Sequence, residues 1–268
     1  MQAKFSEHGK VGVEMELVSK VSADAIVNAL IAAGVPAYRD TYNHRTPTSW
    51  KMTTDCTVHS TSAQRSAGYV YDTLELVSPI LVGARGIQQL EKVCAVLNAL
   101  DVRVNTTCGL HVHHDATHLT GANWVALVKS YVKYEKSLDS LVQKSRRESN
   151  GYYCRSMLTY SYERTMERLN ACSTLSELAS MYQRFSKLNL RAFASHNTVE
   201  FRQHGGTINF TKIVSWISLT QGLVARAASG LALCDEPVAD ELESLFYLTG
   251  ITADTAAYYR SRAAALAA

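Results

Sequence analysis

Several short stretches of this chain alternate apolar residues with residues that can do chemistry, and that period of two limits the possible folds more than any other feature. Residues 11–18 read VGVEMELV, so Val11, Val13, Met15 and Leu17 share one face of a strand while Glu14 and Glu16 share the other. Residues 50–55 (WKMTTD), 69–78 (YVYDTLELVS) and 109–114 (GLHVHH) read as further strands, the second closed by Pro79. Residues 191–194 and 198–203 resemble two more, joined by a turn at His196-Asn197. A helix capped by Ser22 or Asp24 runs to Ala33 and stops at Gly34. Residues 86–100, 123–142, 163–188 and 211–233 carry helical spacing, with Ser173 or Ser176 as internal cap candidates in the third. Residues 38–48 are polar and read as a mobile loop.

Strands that alternate with long helices, with no linker, low-complexity segment or repeat, describe an α+β chain. A length of 268 allows one large domain or two small ones. Continuity of the pattern favours one domain over residues 1–268, with the chemistry inside 11–207 and a helical part over 211–268 that carries no motif. With 47% hydrophobic residues, 19% charged and 4 prolines, the composition is globular. A net charge of +3, from dispersed basic residues, announces no nucleic-acid surface. No apolar run reaches signal-peptide or membrane-spanning length, which places the protein in the cytoplasm with no membrane partner. Six scattered cysteines without a C-x-x-C pair read as reduced, mostly buried thiols.

Four segments concentrate acids, histidines and arginine: Glu14-Met-Glu16, Glu75 in LELVSP, His111-Val-His113, and Glu200-Phe-Arg202 followed by His204. Each puts functional groups on one strand face and an apolar residue on the other. Singly, each has an ordinary explanation: E-x-E is usually a solvated sheet face, H-x-H a pair of hydrogen-bonded imidazoles, and E-F-R a cross-strand salt bridge. Their coincidence is what points to a site, because so many carboxylates on one face need a counter-ion. Oxygen donors with one or two imidazoles suit Mg²⁺ or Mn²⁺ better than zinc. Arg202 is then available to a phosphate, and Lys51 and Asp55 reach the same face. Cys108 has no group to orient it as a nucleophile, and neither phosphate-binding glycine loop is present. Tyr152, Tyr153, Arg155 and the Arg146-Arg147 pair lie in a polar stretch that reads as a solvated helix end. The same stretch and residues 38–48 are candidate rims for specificity, their Arg and Tyr content favouring an acidic acceptor.

The ordered set G-V-E-M-E-L, D-C-T at Asp55, L-E-L-V-S-P, G-L-H-V-H and T-V-E-F-R-Q-H-G-G-T resembles the amidoligase family, carboxylate-amine ligases related to glutamine synthetase and glutamate-cysteine ligase. The resemblance implies a curved, mostly antiparallel sheet forming a funnel-shaped active site backed by helices, as in the glutamine synthetase catalytic domain. It implies ATP and Mg²⁺ or Mn²⁺ as cofactors, with small-molecule or peptide carboxylates and amines as substrates. Glu14, Glu16, Glu75 and Glu200 then look like metal ligands, and His111 or His113 gives an imidazole to metal or phosphate. Arg202 looks like the phosphate-binding arginine, with His113 and Lys51 as further nucleotide contacts and Glu14, Glu16 and Arg202 as the catalytic set. Cys56-Thr57 follow Asp55 where the family pattern has a small residue and a serine, so the role of Asp55 stays open. The activity implied is an ATP-dependent ligase that forms an amide or isopeptide bond through an acyl phosphate. Metal-dependent hydrolysis on the same cluster, or a binding module for an anionic ligand, are the alternatives. Substrate identity and oligomeric state are not legible.

Overall fold

The structure is a computed structural model that describes residues 9–43, 45–147, 152–230 and 240–267. Its packing resolves two compact units. The first holds the described residues up to His113 together with residues 204–214; the second holds 114–203 and 215–267.

The first unit is built on a sheet. Strands β1 (Lys10–Ser19), β2 (Ala37–Arg39), β3 (Trp50–Thr54), β4 (Tyr71–Val77) and β6 (Gly109–Asp115, as far as His113) lie in the order β2-β3-β4-β1-β6, with the short β5 (Leu81–Val82) on the start of β1. β1 is antiparallel to β4 and β5, and β4 to β3, whereas β2 and β3 run parallel, so the sheet is mixed and mostly antiparallel. Register makes one face apolar: Met15 sits opposite Leu76 and Leu76 opposite Met52, all buried. Helices α1 (Ala23–Ala32), capped by the Ser22 hydroxyl, and α3 (Gly83–Ala99) supply Ile26, Leu30, Leu90, Val93 and Leu97 to the core of this unit. The Trp50 indole N–H donates to Gln89 at 3.1 Å and pins α3 to β3. A short α2 (Ser62–Ser66) carries its own capping box. The segment expected to be a loop over 38–48 instead begins in β2, because Tyr38 pairs beside Lys51.

The second unit is mostly helical: α4 (Gly121–Lys133), α5 (Glu135–Ser140), a 3₁₀ turn at Lys144–Arg146, α6 (Tyr162–Asn170), α7 (Leu175–Met181), α8 (Ala192–His196), α9 (Phe210–Ala228, from Ser215), α10 (Glu241–Thr249) and α11 (Ala253–Ala267). Strands β7 (Leu188–Asn189) and β8 (Thr198–Gly205, as far as Gln203) pair antiparallel, Leu188 opposite Phe201 and Asn189 opposite Glu200. Three sequence expectations change here. The helix expected over 123–142 is two helices that meet at Tyr134, whose φ of −100° and ψ of 13° leave the α region. The helix expected over 163–188 is α6 and α7, and the second cap is Thr174, in a capping box with Glu177, rather than Ser173 or Ser176. Residues 191–194 form the start of α8, not a strand; within this unit β8 pairs with the two-residue β7 just before α8. Asn197, with φ of 56°, takes the left-handed position that ends α8 and turns the chain into β8.

No helix among the described residues is long and apolar enough to cross a membrane. Parts of two readings, Cys234 and the end of the helix expected over 211–233, fall outside the described residues, as do residues 148–150 of the polar run after α5.

Candidate metal and catalytic site

Alternation in β1 sends Val11, Val13, Met15 and Leu17 to the apolar side, so Glu14 and Glu16 must emerge on the opposite face. Register then decides which residues meet them. Glu16 faces Glu75 and Glu75 faces Thr53; one pleat away, Glu14 faces Val77 and Val77 faces Lys51. Directly opposed residues share a face, so three strands deliver Glu14, Glu16, Glu75, Thr53 and Lys51 to one surface.

β6 adds the imidazoles. Nδ1 of His111 lies 3.1 Å from Glu14 Oε2, its Nε2 lies 3.6 Å from Glu16 Oε1, and Nε2 of His113 lies 3.5 Å from Glu14 Oε1. His111 is almost fully buried and is gripped by both glutamates. The start of the strand helps: the Gly109 amide donates to Glu16 Oε2 at 2.5 Å. Asp55, just past the end of β3, accepts the amide and hydroxyl of Thr57 on Oδ1, each at 2.7 Å. Thr57 thus closes an Asx-type turn that orients the carboxylate, which a serine at that position would also do.

Two groups of possible ligand atoms lie within 4.8 Å of one another in this unit: Glu14, Glu75 and His111; and Glu16, Asp55 and Glu75. Glu75 belongs to both. Burial, reinforced by the charges of Glu14, Glu16 and Asp55, holds its carboxyl well above the usual range, and Lys51 only partly opposes this. Glu14 moves the other way. Burial acts to raise it, yet the charge of His113 and hydrogen bonds with His111 and His113 outweigh burial and hold it well below the ordinary carboxylate range. Lys51 is buried on the same face, with its ammonium donating to the backbone oxygen of Asn43 at 3.0 Å.

Thr53, which no sequence motif singled out, completes the set. Its side chain is buried opposite Glu75, and its hydroxyl has no hydrogen-bond partner among the described residues. A buried hydroxyl left unmatched beside crowded carboxylates, with hard oxygen donors and one imidazole, suits an oxygen-seeking divalent ion and its hydration waters. The signal in sequence was the spacing Lys51, Thr53, Asp55, which is the same period of two as Glu14 and Glu16.

Glu200 and Arg202 belong to the second unit. Glu200 is buried on β8, accepts from the Asn189 amide at 2.6 Å, and forms an ion pair with Arg202 two residues on. The salt bridge expected across strands is instead made within β8, between Glu200 and Arg202, and the facing strand supplies Asn189. The expected solvated run also resolves differently: Arg146 is buried, and Arg147 donates to the Val142 and Leu266 carbonyls at 2.9 and 3.2 Å.

No curated protein matches the chain. A family model described as "Putative amidoligase enzyme" matches residues 7–224, which span β1 through most of α9 and every motif named above, and the chain belongs to that amidoligase family.

Proposed function

We propose that the protein is an ATP-dependent carboxylate–amine ligase that activates its carboxylate as an acyl phosphate before the amine attacks. Family membership supports amide-bond formation; the observation that supports the finer reading is the cluster of buried Glu16, Glu75 and His111 with half-buried Glu14 and Asp55. A carboxylate resists amine attack because its oxygen leaves poorly. In the proposed reaction that oxygen attacks the γ-phosphorus of ATP and ADP departs. The amine then attacks the acyl carbon, phosphate leaves, and one proton is lost from nitrogen.

Glu14, Glu16, Glu75 and His111 would hold Mg²⁺ or Mn²⁺, with Glu200 assigned to the same role by the family pattern. When bound, such ions supply positive charge to crowded phosphate oxygens. The chain's own contribution is positional. His111 is fixed between two glutamates, and the Gly109 amide fixes Glu16. Glu14, kept ionised by its two histidines, keeps its negative charge available to a cation. Arg202 takes the phosphate role by the family pattern, its guanidinium held on β8 by Glu200, and Lys51 and His113 add positive or donor groups. The funnel-shaped sheet of glutamine synthetase belongs to the same proposal.

The test is ADP release from ATP and Mg²⁺ with a mixed pool of amino acids, polyamines and peptides. Release that needs both a carboxylate and an amine, and that falls at least about a hundredfold in Glu14→Gln/Glu16→Gln, supports the reading. Equal release by the variant overturns it, and turnover without ATP selects metal-dependent hydrolysis instead.

A further inference from the structure

The second unit carries a surface that shares only Arg202 with the proposed metal and catalytic residues. Tyr152, Tyr153 and Phe185 form a triangle of rings with all three centroid distances at 5.1 Å, and the two tyrosines remain 56% and 44% exposed. Guanidinium groups lie over two of these rings: Arg155 is 4.7 Å from the centre of Tyr152, Arg184 is 5.1 Å from Phe185, and Arg202 is 6.0 Å from Phe185. Arg202 is committed to Glu200. Among the described residues, Arg155 and Arg184 have no carboxylate partner.

The platform is rigid where it meets the unit's interior. The Arg155 amide donates to the Phe185 carbonyl at 2.9 Å, the Lys187 amide to the Arg155 carbonyl at 2.8 Å, and the Arg202 amide to the Lys187 carbonyl at 2.8 Å. Lys187 is fully buried, and its ammonium binds Glu135 at 2.7 Å and Asp139 at 2.6 Å. Glu135 in turn accepts the Met157 amide at 2.9 Å. Two exposed tyrosines and two arginines are therefore presented by a backbone that is locked from beneath.

We propose that this surface recognises a carboxylate-rich peptide segment. A guanidinium lying over a ring keeps its N–H edge turned outward, where it matches a carboxylate in a two-point contact. The exposed tyrosines add apolar area and hydroxyls beside that contact. Guanidinium groups already take up a face of Tyr152 and of Phe185, which leaves fewer faces for a stacked nucleobase and weighs against single-stranded nucleic acid. The local charge agrees: residues 152–191 contain 6 basic and 3 acidic residues. That the peptide is the ligase's substrate rests on the function proposed above; the binding itself does not.

The experiment is fluorescence polarisation without ATP, with a short labelled glutamate peptide and its glutamine counterpart as probes. The glutamate peptide should bind at least about tenfold more tightly, and added salt should weaken it. Arg155→Ala and Arg184→Ala should each weaken binding about three- to tenfold, with Arg184→Lys restoring only part, because lysine keeps the charge without the fork. Unchanged thermal midpoints would show that these surface variants fold. Glu14→Gln/Glu16→Gln should bind as wild type does. Equal affinity for the two peptides, no response to either arginine change, or tighter binding of a single-stranded RNA at these residues overturns the proposal. Peptide binding of the expected kind alongside no ADP release for any substrate pair would leave this surface standing and remove the ligase reading. Substrate-dependent ADP release without peptide binding would do the reverse.

Discussion

Thr53 shows how much one side chain reveals about an acidic surface. Its hydroxyl is buried opposite Glu75 with no partner among the described residues, and an unmatched buried hydroxyl costs about 1–3 kcal/mol. Valine has nearly the same shape without the polar group. Thr53→Val should therefore raise the unfolding free energy of the metal-free protein by about 1 kcal/mol while weakening Mn²⁺ binding severalfold, if the hydroxyl serves the hydration shell of a bound ion. Urea unfolding with and without Mn²⁺ reads both effects, and a metal-free variant less stable than wild type would show that the hydroxyl already has a use. Spacing in the sequence was enough to put Glu14 with Glu16, His111 with His113 and Lys51 with Asp55, because alternation is a local property. It could not show that Glu16, Glu75 and Thr53 form one row, because that depends on register between strands far apart in the chain.

At the scale of elements, β6 begins where the site is tightest. A Cβ on Gly109 would lie 2.7 Å from His111 Nε2 and 3.3 Å from Glu16 Oε2. The ring has no easy retreat, since Glu14 holds its Nδ1 and its surroundings bury it. Gly109→Ala should cost about 1–3 kcal/mol of stability and reduce divalent-ion affinity together; wild-type values for both in unfolding and Mn²⁺ titration would mean that the imidazole is free to move. Long periodic elements such as β1, β4, α1 and α3 were legible because many residues vote for one period. Short ones were not. Residues 191–194 hold too few residues to separate helix from strand, and the two-residue β7 is specified by pairing with Phe201 and Glu200 rather than by its own composition. The break at Tyr134 was hidden because apolar spacing continues across it through Leu138 and Leu141.

For the whole molecule, the expectation of a single domain is a claim about cooperativity. Two compact units are present, yet β6, β8 and α9 each give residues to both, with divisions after His113, Gln203 and Val214. A strand or helix that loses its packing in one half frays in the other, so the two units should unfold together. Buried thiols report on each unit. Burial, with a smaller push from Glu91, raises the Cys94 thiol of the first unit to about 12, and burial raises Cys154 of the second to about 11. At pH 8 only about one Cys94 side chain in ten thousand would be thiolate even if reagent reached it, so neither should react in the native state. Exposed Cys56 should react at once. With rising urea, alkylation of Cys94 and Cys154, followed by peptide mass spectrometry, should share one midpoint; Cys154 reacting at clearly lower urea than Cys94, or the reverse, would make residues 1–268 two folding domains and place Glu200 and Arg202 in a module that folds apart from the acidic face.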